Sequence, residues 1–216
     1  MSKIRVCCYI DGFNVYHAID DMSKVQRGAL NYLKWLDLRA LMGQFSDPNV
    51  HEIAGVNYFT AYPTWRKDGL VRHMEYVKAL ATVDVKTVLG QFKEKDAYCK
   101  NCKSSYKARE EKESDVNIAT HLISDGYEDK FDTAFLVTND SDLLGPIRLF
   151  RAKFPKKKLK IIAPPHRRHS KELWAIATHR AAIQQQHLEK CLLPAAASKP
   201  DGTAIYARPK EYEPPP

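Results

Sequence analysis

No apolar run in the 216-residue sequence approaches the ~18 residues that a membrane-spanning helix needs, so no membrane partner is expected. The opening segment, Met1 to Ile10, lacks the long apolar region and cleavage site of a signal peptide. Cysteines number only five, an odd count in a chain this long. That argues against a disulfide scaffold and for a reducing, cytoplasmic setting. The chain has no G-x-x-x-x-G-K-[ST], no G-x-G-x-x-G after a strand and no G-x-S-x-G. Phosphate-binding loops, dinucleotide folds and serine hydrolases of the nucleophile-elbow type are thereby disfavoured. There is no internal repeat.

What is present suits one globular domain. The chain is 44% hydrophobic and 28% charged, enough apolar material for a full core with a tail to spare. Its formal charge is +8 and its pI about 9.1. Between Arg148 and Arg180, eleven Lys and Arg face a single acid, Glu172, which makes that window net +10. Within it, Lys156, Lys157, Lys158, Arg167 and Arg168 are candidates to hold a polyanion such as RNA. An ordinary solvated face is the alternative.

Strands and helices alternate along the chain. Strands are expected over 5–10, 52–62, 83–92, 133–138 and 159–163, and helices over 15–22, 33–45, 65–81, 113–125, 143–152 and 169–182. This order predicts an α/β fold: a mostly parallel sheet of about five strands with helices on both faces. The polar stretch from Lys93 to Arg109, which carries Cys99 and Cys102, is too long for an ordinary connection. From Leu193 onward the Pro- and Ala-rich composition reads as an extended tail.

Carboxylates mark the ends of these elements. Phe135 to Thr138 is an apolar run that stops at Asn139-Asp140-Ser141-Asp142, and the first strand stops at Asp11-Gly12-Phe13-Asn14. In an open parallel sheet the carboxyl ends of the strands face the ligand crevice. Two acids one residue apart repel unless a cation offsets them, which suggests a divalent metal. A purely helix-capping role for Asp140, Ser141 and Asp142 is the alternative. Asp115 falls on the helix face shared with Ala119 and Leu122, which the sheet should bury. It therefore needs a cation: a metal, or a salt bridge to Lys112 or Arg5. Asp11, Asp115, Asp140 and Asp142 together offer oxygen ligands suited to Mg²⁺ or Mn²⁺.

Asp11-Gly12-Phe13-Asn14, Glu111-Lys112-Glu113-Ser114-Asp115-Val116 and Thr138-Asn139-Asp140-Ser141-Asp142 resemble the three signatures of the NYN domain. That family belongs to the PIN-like nuclease superfamily, and the chain looks closest to its LabA-like bacterial branch. The match covers roughly residues 4 to 165. The resemblance implies a Rossmann-like three-layer α/β/α domain over 1–190, with a C-x₂-C insertion near 93–110 and a tail over 191–216. It also implies a metal-dependent ribonuclease with Asp11, Asp115, Asp140 and Asp142 as catalytic metal-binding acids and Asn14 in support. In the last motif a small residue and Gly commonly precede the first Asp; here Thr138 and Asn139 stand in their place, and Asn tolerates the left-handed backbone that Gly supplies.

Other features remain open at this stage. The spacing of Cys99 and Cys102 is that of half a tetrahedral zinc site; a redox pair or two ordinary thiols are the alternatives. His73, His121 or a second copy of the chain in a homodimer would have to complete it. Tyr58, Phe59, Tyr62 and Trp65 are candidates for base stacking or for core packing, and Lys112 for a phosphate contact. A catalytically silent nucleic-acid-binding module of the same fold is the competing function. A phosphatase with Asp11 as nucleophile would want a second Asp at position 13, where Phe stands.

Overall fold

The computed structural model describes residues 2–168 and 170–215. In chain order the elements are β1 (Ile4–Asp11), α1 (Gly12–Val25), a 3₁₀ turn (Asn31–Lys34), α2 (Leu38–Gly43), β2 (His51–Thr60), α3 (Lys67–Thr82), β3 (Lys86–Leu89), β4 (Gln91–Cys99) and β5 (Ser104–Lys112). There follow α4 (Ser114–Tyr127), β6 (Thr133–Val137), a 3₁₀ turn (Ser141–Leu143), α5 (Leu144–Lys153), β7 (Lys158–Ala163), α6 (Lys171–Ile176), β8 (His179–Ala182), α7 (Gln185–Glu189), β9 (Ala196–Ser198) and β10 (Ala204–Ala207).

Six strands form one sheet in the order β3-β2-β1-β6-β7-β8, and every neighbouring pair is parallel. Strand alternation divides the core between the two faces. On β1, Val6, Cys8 and Ile10 point to a cluster with Ile19 of α1, Leu41 of α2 and Leu80 of α3. Cys7 and Tyr9 point the other way, to Ile118 and Leu122 of α4 and Ile147 and Phe150 of α5. Each such aliphatic or aromatic side chain contributes about 1.5–3 kcal/mol when fully buried. The result is a three-layer α/β/α fold. Chain order runs outward from β1 in one direction and from β6 in the other, so the order reverses between these two strands. A crevice opens at the carboxyl ends of the strands where such a reversal occurs.

The structure departs from the sequence expectation in four places. The strand expected over 83–92 is broken at Gly90, where a Cβ would stand 2.6 Å from the Lys112 carbonyl oxygen. From there the polar insertion continues as an antiparallel hairpin of β4 and β5. The helix expected over 33–45 splits because Asp37 caps α2 by accepting from the Ala40 amide at 2.8 Å, while Leu36 pairs with Leu192. The helix expected over 169–182 becomes α6 and a sixth strand, β8; its first position, His169, lies outside the described residues.

The fourth departure is the tail, whose last residue, Pro216, also lies outside the described residues. The Pro- and Ala-rich segment is not extended in solvent but packs on the first face of the sheet. Leu193 and Tyr206 are buried, the Trp35 indole donates to the Pro194 carbonyl at 2.9 Å, and Arg72 pairs with Glu211 at 2.8 Å.

Candidate metal and nucleic-acid site

Asp11 is the last residue of β1 and is only 3% exposed. Its Oδ1 accepts from the Asn14 amide at 3.0 Å, so Asp11 caps α1. Its Oδ2 accepts from the Asn14 side-chain amide at 2.5 Å and from the Thr138 hydroxyl at 3.1 Å. A carboxylate has about four lone-pair sites, so one remains for a further ligand. Asn14 Oδ1 in turn accepts from the Asn139 amide at 3.2 Å. Thr138 Oγ1 accepts from the Asp140 amide at 3.1 Å, and Asn139 Oδ1 from the Ser170 amide at 3.0 Å. Thr138 and Asn139 thus lock the ends of β1 and β6 together across the crevice. Asn139 does not take the left-handed conformation; its side-chain hydrogen bonds, not its backbone freedom, suit it to the position.

The other acids surround this anchor. Asp140 caps the 3₁₀ turn by accepting from the Asp142 amide at 2.9 Å, so the capping role is present alongside its place in the cluster. Asp142 is exposed, and Asp115 is half-buried in the first turn of α4. Burial, then the charges of Asp115 and Asp140, push Asp11 up to about 6 against the opposing hydrogen bonds from Asn14 and Thr138. Burial, then Asp140, Glu111 and Asp142, push Asp115 up to about 6. The salt bridges that would relieve Asp115 are not made: Lys112 pairs with Glu110 at 2.9 Å, and Arg5 with Asp129 at 3.0 Å and Asp132 at 2.9 Å. Among the described residues, no three acid, thiol or imidazole side chains are drawn tightly enough to enclose an ion. The four carboxylates rim the crevice and repel one another across it. An all-oxygen donor set of this kind fits a hard divalent cation.

The basic candidates divide between opposite edges of the sheet. Lys156, Lys157 and Lys158 precede or open β7, whereas the acids lie past the carboxyl ends of β1 and β6. Six residues of β7 at about 3.3 Å each span roughly 20 Å. Lys157 is moreover occupied: its ammonium pairs with Asp129 at 2.5 Å and donates to the Phe131 carbonyl at 2.6 Å. Lys160 is likewise turned inward, donating to the Phe45 carbonyl at 2.8 Å over the Phe135 ring. Arg167 and Arg168 follow β7 and stand exposed at the acid edge, Arg167 paired with Asp21 at 2.5 Å.

Cys99 and Cys102 lie at the tip of the β4–β5 hairpin, where Cys102 Sγ is 2.9 Å from Ser104 Oγ. His73 instead bonds Thr60 and His121 packs on Phe59, so neither completes a zinc shell with the pair. Among the aromatic candidates, Phe59 and Tyr58 are buried, while Tyr62 and Trp65 are partly exposed.

Residues 5–181 match the NYN domain. Among curated proteins, 6-hydroxy-3-succinoylpyridine 3-monooxygenase HspA of Pseudomonas putida (strain DSM 28022 / S16) is 28% identical over 188 residues, covering 70% of this chain. The chain spans 57% of that relative's length. The crystal structure of a protein of unknown function, VPA0982, from Vibrio parahaemolyticus RIMD 2210633 shares the fold. Its TM-score is 0.58 over 88% of this chain and 97% of that one, at 18% identity.

Proposed function

Because the chain belongs to the NYN domain family, within the PIN-like nuclease superfamily, we propose that it is a metal-dependent ribonuclease that hydrolyses RNA phosphodiester bonds. The observation that carries this reading is the group of four carboxylates at the β1–β6 reversal. Two of them are pushed up to about 6, and among the described residues no ion pair reaches any of the four.

Asp11, Asp115 and Asp140 would hold Mg²⁺ or Mn²⁺. Such an ion, when bound, makes water a stronger nucleophile and offsets charge gathering on the phosphate. The chain's own residues supply position. Asn14 and Thr138 fix both oxygens of Asp11, and the turn after β6 sets Asp140 and Asp142 side by side. Exposed Asp142 can orient the attacking water, and Arg167 and Arg168 can hold the RNA backbone at the same edge.

The monooxygenation in the Pseudomonas relative's name is that protein's; the acid-only crevice here favours hydrolysis. A silent RNA-binding module is the second reading, favoured by the spread of the carboxylates around the rim.

Cleavage of labelled RNA with Mn²⁺ or with EDTA separates the two. Asp140→Asn sharpens the result, because Asn keeps the cap on Asp142 but removes the charge. Cleavage should fall by roughly 100-fold or more, in parallel with Mn²⁺ affinity, if metal catalysis supplies several kcal/mol. Wild-type rates in this variant would overturn the metal-site reading of Asp140, and RNA binding without metal-dependent cleavage in the parent protein would leave only the binding module.

A further inference from the structure

Beside the acids lies a cavity of about 490 Å³, within the ~300–1,000 Å³ range of small-molecule sites. Gly12, the residue after Asp11, lines it, and so does Glu111, whose charge acts on Asp115. The cavity therefore adjoins the crevice. Aromatic rings form its walls: Phe92 meets Phe13 edge-on at 5.5 Å and Trp65 at 4.5 Å, and the Arg109 guanidinium lies over Trp65 at 5.0 Å. Tyr212, from the C-terminal segment, lines it as well.

The lining is not uniformly apolar. Thr60 Oγ1 is 3.2 Å from His73 Nε2, and the Tyr58 ring meets the imidazole edge-on at 6.4 Å. Burial holds the His73 imidazole down to about 4, so at neutral pH it is uncharged and carries one donor and one acceptor. Its Nδ1 takes no hydrogen bond among the described residues. Lys34, Arg72 and Arg109 in the lining are already paired with Asp20, Glu211 and Glu94. Arg66 stands at the exposed rim and makes no ion pair among the described residues.

We propose that this cavity is a nucleobase pocket, which seats the base of one nucleotide against the packed rings of Phe13, Trp65 and Phe92 and reads its edge through His73 and Thr60. The assignment rests on the ribonuclease reading, in which the phosphate attached to that nucleotide lies at the acids. Flat rings suit aromatic walls, and a neutral donor–acceptor pair suits the amide or amidine edge of a base. The rim cation favours a ring that carries a phosphate.

The test is equilibrium titration of the full chain, in EDTA, with the four 5′-mononucleotides, ribose 5-phosphate and a pyridine carboxylate. Tryptophan fluorescence reads affinity, and NMR shift changes read location. At least one mononucleotide should saturate, perturbing His73 and Trp65, and bind at least about tenfold more tightly than ribose 5-phosphate or the pyridine acid. Trp65→Ala, at a partly exposed position, and His73→Leu should each weaken it by a similar factor. Equal binding of ribose 5-phosphate, preference for the pyridine acid, or no saturable binding would each overturn the pocket. RNA cleavage with Mn²⁺ on the same preparations separates the two ideas. Cleavage without base-dependent binding removes the pocket alone; base-dependent binding without cleavage sustains the pocket and removes the ribonuclease.

Discussion

Asp115 links the stability of this site to the chemistry proposed for it. No hydrogen bond or ion pair involving its side chain is made among the described residues, and burial and three neighbouring acids push its carboxyl up to about 6. The folded protein therefore binds this proton more tightly than the unfolded chain does. The associated stability is fully present below the unfolded value and is lost as pH rises through about 6, since stability falls with pH wherever the native state holds more protons. In EDTA, the melting temperature of the parent protein should drop from pH 4 to pH 7 relative to that of Asp115→Asn, which cannot titrate. Mn²⁺ should restore it in the parent alone. A constant gap between the two proteins across that range would mean that Asp115 carries no strained charge. Half-exposure tempers the size of the effect but not its sign. The four acids were legible in the sequence because each interrupts an apolar pattern at an element's end. The roles of Thr138 and Asn139 were not, because a hydrogen bond spanning 127 or 125 positions leaves no local pattern.

Elements, more than composition, decide what the basic stretch can do. Read as a run, Lys156 to Lys158 looked like the nucleic-acid face; read on β7, it sits at the amino end of a strand whose carboxyl end belongs to the crevice. Lys156→Glu with Lys158→Glu should leave RNA affinity and its salt dependence close to the parent's, and Lys157 is best left alone because it anchors Asp129 and Phe131. Arg167→Ala with Arg168→Ala should weaken binding and reduce the salt slope by roughly 1.4, at about 0.7 per phosphate contact for single strands. Filter binding from low to high salt checks both. The opposite ranking would place RNA on the far edge and detach it from the acids. The β4–β5 hairpin also escaped the sequence reading, for a physical reason. Its strands are mostly exposed, so they lack the period-two apolar signal that reveals a half-buried strand. Its exposed tip also bears on zinc: with only Cys99 and Cys102 to offer, a tetrahedral shell would need two more ligands from a second chain.

At the scale of the whole molecule, the parallel sheet and its reversal point followed from the alternation of strands and helices, because buried strands and amphipathic helices write their period into the sequence. The C-terminal segment wrote none. Its anchors, Leu193, Tyr206 and Tyr212, are irregularly spaced among Pro, Ala and charged residues, so composition alone made it look like a tail. In the structure it seals the first face of the core. The Tyr206 and Tyr212 rings lie 5.8 and 6.4 Å from that of Trp35, and the Ala207 amide donates to Glu75 at 3.2 Å. Removing residues 199–216 should therefore behave like the loss of one large core side chain, Tyr206, which costs about 3–5 kcal/mol. For a chain of this size each kcal/mol lowers the melting temperature by roughly 2–4 °C, so a drop on the order of 6–20 °C is expected. A solvated tail would be lost without cost. Tyr206→Ala and Tyr212→Ala in the full chain divide the effect. Tyr206 is 3% exposed and should account for most of the stability. Tyr212 also lines the cavity, so its loss should lower mononucleotide affinity in addition. An unchanged melting temperature in the truncated protein would return the segment to the extended state that its composition suggests, and would leave the cavity open on that side.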